Sequence, residues 1–212
     1  MRITRPAVCF ALAASLVGAG AANAVVKKPV VKPVCNLITD AAGDASLQAP
    51  VPSDDSVDIV GGDLASDAKK ITAVIRVKNL GATSPAVLGR NYYFLFTPPK
   101  AANPVYFSYE TDPTSPLLGG TFHWGDLEPG TGLPTYTSKG TATGVLVTAK
   151  NEIHISAAVS DVSSLGSVKP GSKITSLSMS TTDNFGVVVA TVDDASGKSY
   201  IAGTPSCVKP GA

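Results

Sequence analysis

From residue 71 the chain alternates: Ile71, Ala73, Ile75 and Val77 fall on one parity, and Thr72, Val74, Arg76 and Lys78 on the other. Successive side chains of a strand point to opposite faces, so a period of two predicts a strand with one buried and one wetter side. The same rhythm predicts strands over Tyr92 to Phe96, Val105 to Glu110, Thr141 to Thr148, Glu152 to Val159 and Lys173 to Met179. Clusters that stop a helix lie between them, among them Gly81 to Pro85, Thr97-Pro98-Pro99, Asp112-Pro113, Glu128-Pro129-Gly130 and Lys169-Pro170-Gly171. Short strands at this spacing predict an all-β fold, an antiparallel β-sandwich of jelly-roll-like form with eight or nine strands between Val57 and Cys207. No strand–helix–strand rhythm favours a parallel nucleotide-binding sheet. One short helical turn is expected at Ser160 to Leu165.

The first residues follow a different pattern. Arg2 and Arg5 precede an apolar run, Ala7 to Val17, and small residues close it at Ala22-Asn23-Ala24. That order is a secretory signal peptide, residues 1–24, expected to be cleaved after Ala24. Gly18 and Gly20 interrupt the run, and no other window approaches the roughly 18 apolar residues of a spanning helix. No membrane insertion is therefore expected after cleavage. Residues 25–34, VVKKPVVKPV, read as an extended, proline-interrupted leader. A single β-sandwich domain follows over residues 35–207, with residues 208–212 as a C-terminal tail.

Composition agrees with a secreted, extracellular fold. Of the 212 residues only 16% are charged, and 20 glycines and 16 prolines supply turns, whereas average domains carry roughly a quarter charged residues. Removing the signal takes the basic side chains from 17 to 15 against 16 acidic, and the formal charge from +1 to −1. No basic face remains to neutralise phosphates, so no nucleic-acid partner is expected. Cys9 leaves with the signal, and Cys35 and Cys207 remain as a pair. In an oxidising compartment such a pair is expected to form a disulfide, which brings the two ends of the domain together.

The run Ile38 to Asp44 sets Asp40 and Asp44 around Gly43, and Asp54, Asp55 and Asp58 follow. Calcium takes six to eight oxygens, so carboxylates around a tight turn are the right donors. Asp40, Asp44 and Asp58 are the candidate ligands, although Asp and Gly also make plain surface turns. The segment Thr39 to Asp44, Val57-Asp58-Ile59 opening a strand, and Ser66-Asp67 before the Ile71 to Val77 strand resemble the start of DOMON-like and family 9 carbohydrate-binding modules. Lys169 to Thr175, Asp193-Asp194-Ala195, Tyr200 to Gly203 and Cys207 are similar to the closing strands of such accessory domains of secreted bacterial proteins. The resemblance spans Cys35 to Cys207 and implies a jelly-roll-like sandwich with structural calcium near its N-terminal strands.

Sugar-binding modules present aromatic rings on which sugar C–H faces stack. Strand parity puts Tyr92, Phe94 and Phe96 on one face and Tyr93 on the other, so Tyr93, Tyr106 and Trp124 are the candidate ligand platform, with packing in the core as the alternative. Haem ligation, known in some DOMON members, has only Met179, His123 and His154 to draw on. Met179 shares a face with Leu177 and is expected in the core, while His154 is expected to face solvent. Catalytic chemistry finds no motif: there is no G-x-S-x-G elbow, and the acidic pairs Asp54/Asp55, Asp126/Glu128 and Asp193/Asp194 read as solvated loops. The sequence thus points to a secreted, non-enzymatic β-sandwich that binds a glycan or a cell-envelope or extracellular protein. A carbohydrate-binding module is the first alternative. An extracellular hydrolase or inhibitor with a site assembled only in three dimensions is the second.

Overall fold

A computed structural model describes residues 31–45, 55–82, 88–111, 119–130, 134–184 and 189–211. The expected signal peptide, most of the leader and Asp54 lie outside the described residues. Twelve strands run β1 (Ile38–Thr39), β2 (Ile59–Ser66), β3 (Lys70–Val77), β4 (Gly89–Thr97), β5 (Val105–Thr111), β6 (Gly120–Glu128), β7 (Thr135–Thr141), β8 (Thr143–Val147), β9 (Glu152–Ala158), β10 (Lys173–Asn184), β11 (Val189–Ser196) and β12 (Tyr200–Ile201). The two connecting helical turns, Thr148–Lys150 and Ser163–Ser167, are single 3-10 turns. The second falls on the stretch where a helical turn is expected.

Two antiparallel sheets form the sandwich. One has the order β1-β2-β3-β9-β8, the other β11-β10-β4-β5-β6-β7, and β12 pairs with β10. The alternation in the sequence sets which side of each sheet is dry. Ile71, Ala73 and Ile75 of β3 and Ile153 and Ile155 of β9 meet Phe94 and Phe96 of β4, Phe107 of β5 and Leu177 and Met179 of β10 in one core. Met179 is buried beside Leu177, as its parity requires.

The strand count exceeds the expected eight or nine for physical reasons. Thr141 to Thr148 reads as one strand, but the chain turns at Ala142, whose N–H donates to the Phe122 carbonyl at 2.9 Å, and passes from the seven-stranded to the five-stranded sheet as β7 and β8. In β6 only Phe122 and Trp124 carry the inward apolar rhythm, and Gly120, Gly125 and Asp126 dilute it. β11 is interrupted by Asp193 and Asp194.

At the opposite edge β1 and β11 approach each other. Lys198 N–H donates to the Leu37 carbonyl at 2.9 Å, and Ile38 and Gly197 form an isolated bridge. Beside them Cys35 and Cys207 are joined by the expected disulfide, with Cα atoms 5.3 Å apart and a sequence separation of 172. Val34 pairs with Ser206 on the same side. Residues 208–211 do not trail away from the sheet. Val208 is buried against Ala65 and Val74, and Gly211 N–H donates to Thr72 Oγ1 at 2.7 Å.

Candidate functional site

The acidic turn leaves β1 at Asp40 and reverses at Gly43, whose φ of 92° is a conformation side-chain-bearing residues rarely adopt. Asp58, just ahead of β2, fixes that turn: its Oδ2 accepts the Gly43 N–H at 2.6 Å and lies 3.8 Å from Lys78 Nζ. Asp40 Oδ1 accepts the Ala41 N–H at 3.0 Å, while Asp40 Oδ2 is buried without a hydrogen-bond partner among the described residues. From the far end of the chain β11 brings Asp193 to the same place. Asp40, Asp44 and Asp193 each offer an oxygen within 4.8 Å of the others.

The carboxylate set therefore differs from the expected one. Asp40 and Asp44 are together, but Asp58 is not among the converging three, because its Oδ2 is spent on the turn that carries the other two. Its Oδ1 is buried and has no hydrogen-bond partner among the described residues. Asp193, read from sequence as half of a solvated pair, takes the third place. The signal is concealed by a register irregularity opposite Thr181 and Thr182, which lets consecutive residues Val192 and Asp193 both turn inward while Asp194 stays exposed. A strict period of two forbids that pattern, so alternation alone could not find it.

Electrostatics follow from this crowding. Burial, with the charges of Asp40 and Asp44, pushes the Asp193 carboxyl up to about 6, against the N–H bonds it accepts from Ile59 and Asp194. Burial likewise raises Asp40, helped by the charges of Asp44, Asp194 and Asp58. Carboxylates this close resist ionising together unless a cation offsets them. The donor set is all oxygen, and among the described residues Asp40 Oδ2 is an orphaned acceptor within it; carboxylate oxygens are the donor type a hard divalent cation such as calcium takes.

The aromatic candidates divide by parity. Tyr93 and Tyr106 lie on the outer face of the seven-stranded sheet, yet only 8% and 2% of their surface is exposed. They pack edge to face at 5.7 Å, with Leu95 and Leu127 against them. Gly125 makes this possible, since a Cβ there would come within 2.7 Å of the Tyr106 ring. Trp124 points the other way, into the core between the sheets. None of the three is an open platform, which corrects the expectation of exposed rings. The ring on the surface is Tyr136 of β7, 38% exposed, stacked on Tyr93 at 4.2 Å and edge-on to Tyr106 at 5.2 Å. Burial and the Glu110 charge push the Tyr106 hydroxyl up to about 12.

His154 does not face solvent as expected. It is buried on the outer side of β9, where its Nε2 meets Glu152 Oε2 at 2.9 Å. His123 Nε2 lies 2.9 Å from Thr121 Oγ1. Comparison with profiles of known protein families, with curated proteins and with solved structures returned no match.

Proposed function

We propose that this chain is a non-enzymatic extracellular β-sandwich module that works by binding, its N-terminal end braced by calcium at Asp40, Asp44 and Asp193. The observation that carries this reading is the convergence of three carboxylates from distant parts of the chain, one of which, Asp40, keeps a buried oxygen with no hydrogen-bond partner among the described residues. The resemblance to family 9 carbohydrate-binding modules implies a brace of this kind, and the Cys35–Cys207 bridge suits an oxidising compartment. When bound, calcium supplies positive charge that lets the three carboxylates ionise together. Asp58 then acts as a positioning residue that holds the Gly43 turn. The deciding experiment is metal analysis and thermal denaturation of the secreted protein: calcium copurifies, and chelation lowers Tm. Protein that carries no metal and melts identically with calcium or chelator overturns the calcium brace.

A second reading, carbohydrate binding, is favoured by Tyr136. A flat ring presented on the sheet face and backed by Tyr93 is suited to stacking against the C–H face of a sugar, and Ser138 and His123 stand on the same face by register. Affinity electrophoresis through a panel of soluble polysaccharides tests it. Retardation lost in Tyr136→Ala supports this reading, and uniform mobility across the panel removes it.

A further inference from the structure

On the outer face of the five-stranded sheet, on residues other than those of the acidic cluster, a line of charges crosses three strands. Asp63 of β2 is fully buried, accepts the Leu37 N–H on Oδ1 at 3.1 Å, and sets Oδ2 2.7 Å from Arg76 Nη2 as an ion pair without hydrogen-bond alignment. Arg76 of β3 donates from Nε to Glu152 Oε1 at 2.8 Å. Glu152 of β9 uses its other oxygen for His154 Nε2 at 2.9 Å. The line ends at His154 Nδ1, which is buried and has no partner among the described residues.

His154 also lines a cavity of about 260 Å³, closed on one side by the segment that carries Cys207 and Val208. Arg76, Lys150, Glu152 and Lys209 complete its wall. The groups facing His154 are Glu152 on its own strand, Arg76 on β3, Asp63 behind Arg76 on β2, Lys150 from the turn before β9 and Lys209 from the C-terminal segment. Glu152 and Asp63 together offset Arg76 and one further cation, which leaves the cavity with one positive charge before His154 is counted.

We infer that this cavity binds a small oxyanion, a carboxylate or sulfate-like group, between Lys150, Lys209 and His154 Nδ1. The tautomer follows from the contacts. Glu152 accepts only, so Nε2 carries hydrogen, and in neutral imidazole Nδ1 is then an acceptor that an anion cannot satisfy. Protonated imidazole turns Nδ1 into a donor aimed at the oxyanion, with Glu152 compensating the charge from the other side. The ring donates to the anion from Nδ1 only when it carries both protons, so the anion binds more tightly in acid than in base. This inference does not depend on the calcium brace, which lies on other residues.

Sulfate is the probe, because it keeps its two charges across the pH range in which imidazoles ordinarily titrate. Titrated at pH 5.5 and pH 8 at constant ionic strength, sodium sulfate shifts the His154 ring signals in NMR saturably, with affinity at least about tenfold higher at pH 5.5; tenfold equals about 1.4 kcal/mol. Sodium acetate, titrated at the same two pH values, distinguishes a carboxylate ligand from a sulfate-like one. In Lys150→Ala/Lys209→Ala the shift is lost at both pH values. In His154→Gln the residual affinity, followed on the Lys209 amide, no longer depends on pH. Absence of a saturable response to either anion, or an unchanged response in the double lysine variant, overturns the proposal.

Discussion

Asp193 in β11 reaches across the sandwich to Ile59, the first residue of β2, and its Oδ2 accepts the Ile59 N–H at 2.6 Å. The same carboxylate accepts the Asp194 N–H on Oδ1 at 2.8 Å, so it ties the two sheets at the acidic end while facing Asp40 and Asp44. The two roles separate by substitution. Asp193→Ala leaves a buried N–H unsatisfied and costs about 2–3 kcal/mol in urea denaturation with chelator present. Asp193→Asn keeps a carbonyl for Ile59, costs about 1 kcal/mol or less under the same conditions, and still loses the calcium response. Equal losses in the two variants would show that the N–H bond is not the structural part.

At the proposed calcium site, calcium and protons are expected to compete for the same carboxylates. With chelator present, Asp193 titrates at about 6, above an ordinary aspartate, through burial and its acidic neighbours. A carboxyl raised by folding contributes its stability below its unfolded value, near pH 4, and that contribution disappears as pH rises through 6. Calcium replaces the protons, so the rise in Tm on adding calcium is larger at pH 7.5 than at pH 5. At a hundredfold excess over Kd the gain at pH 7.5 is about 2.7 kcal/mol. Scanning calorimetry at both pH values checks it, and a calcium increment that is equal or larger at pH 5 contradicts it.

The sandwich was legible because its core strands obey one rule. Ile71, Ala73, Ile75 and Val77 fall on one parity, with Thr72, Arg76 and Lys78 on the other, so the buried face of that strand follows from the sequence; Tyr92 to Phe96 is apolar throughout and is buried on both faces. The elements that escaped are those where the rule is locally broken: the corner at Ala142, the glycine-rich β6, and the β10–β11 irregularity that turns Asp193 inward. Two of the three carboxylates of the acidic site were readable, since Asp40 and Asp44 share one turn with Gly43. Asp193 was not, because nothing local connects it to them. The aromatics show a further limit. Parity placed Tyr93 on the outer face correctly, but exposure depends on whether a neighbouring strand lays a ring over it, and Tyr136 does.

Tyr136 and Tyr106 separate a surface ring from a packed one. Tyr106→Ala removes a ring that is 2% exposed and leaves space between Leu95, Leu127 and Tyr93. The expected loss is about 3–4 kcal/mol, in the range of large aromatic truncations. Tyr136→Ala forfeits one stacking contact and about 1 kcal/mol. Urea midpoints of the two variants measure the difference, and comparable losses would mean that Tyr136 is as much a part of the packing as Tyr106.

The Cys35–Cys207 bridge closes nearly the whole domain, its two ends separated by 172 in sequence. The chain-entropy argument assigns a loop of that size roughly 5 kcal/mol, an upper bound wherever the unfolded chain keeps structure. Cys35→Ser/Cys207→Ser is expected to fold with a strongly reduced urea midpoint, and added reductant to lower the wild-type midpoint towards that of the variant. Insensitivity of the wild-type midpoint to reductant under unfolding conditions would show that the bridge does not constrain the unfolded chain.

Glu152 sets the acid limit of the five-stranded sheet. Burial pushes its carboxyl up, but hydrogen bonds from His154 and Arg76, with the charges behind them, outweigh burial and hold it below the ordinary range. A carboxyl depressed by folding contributes stability above its unfolded value, near pH 4.5, and loses it as pH falls through the lower folded value. Glu152→Gln abolishes that titration. The variant is less stable than wild type at pH 7 by on the order of 1 kcal/mol, the worth of charge-assisted hydrogen bonds discounted for solvent screening. The gap narrows as pH falls through that lowered value, because wild-type Glu152 is then protonated as well. Urea denaturation of both proteins from pH 7 to pH 3, with chelator present throughout to keep calcium out of the comparison, follows the gap. A difference that stays constant or widens towards acid would mean that the Arg76–Glu152–His154 line is held by packing and not by charge.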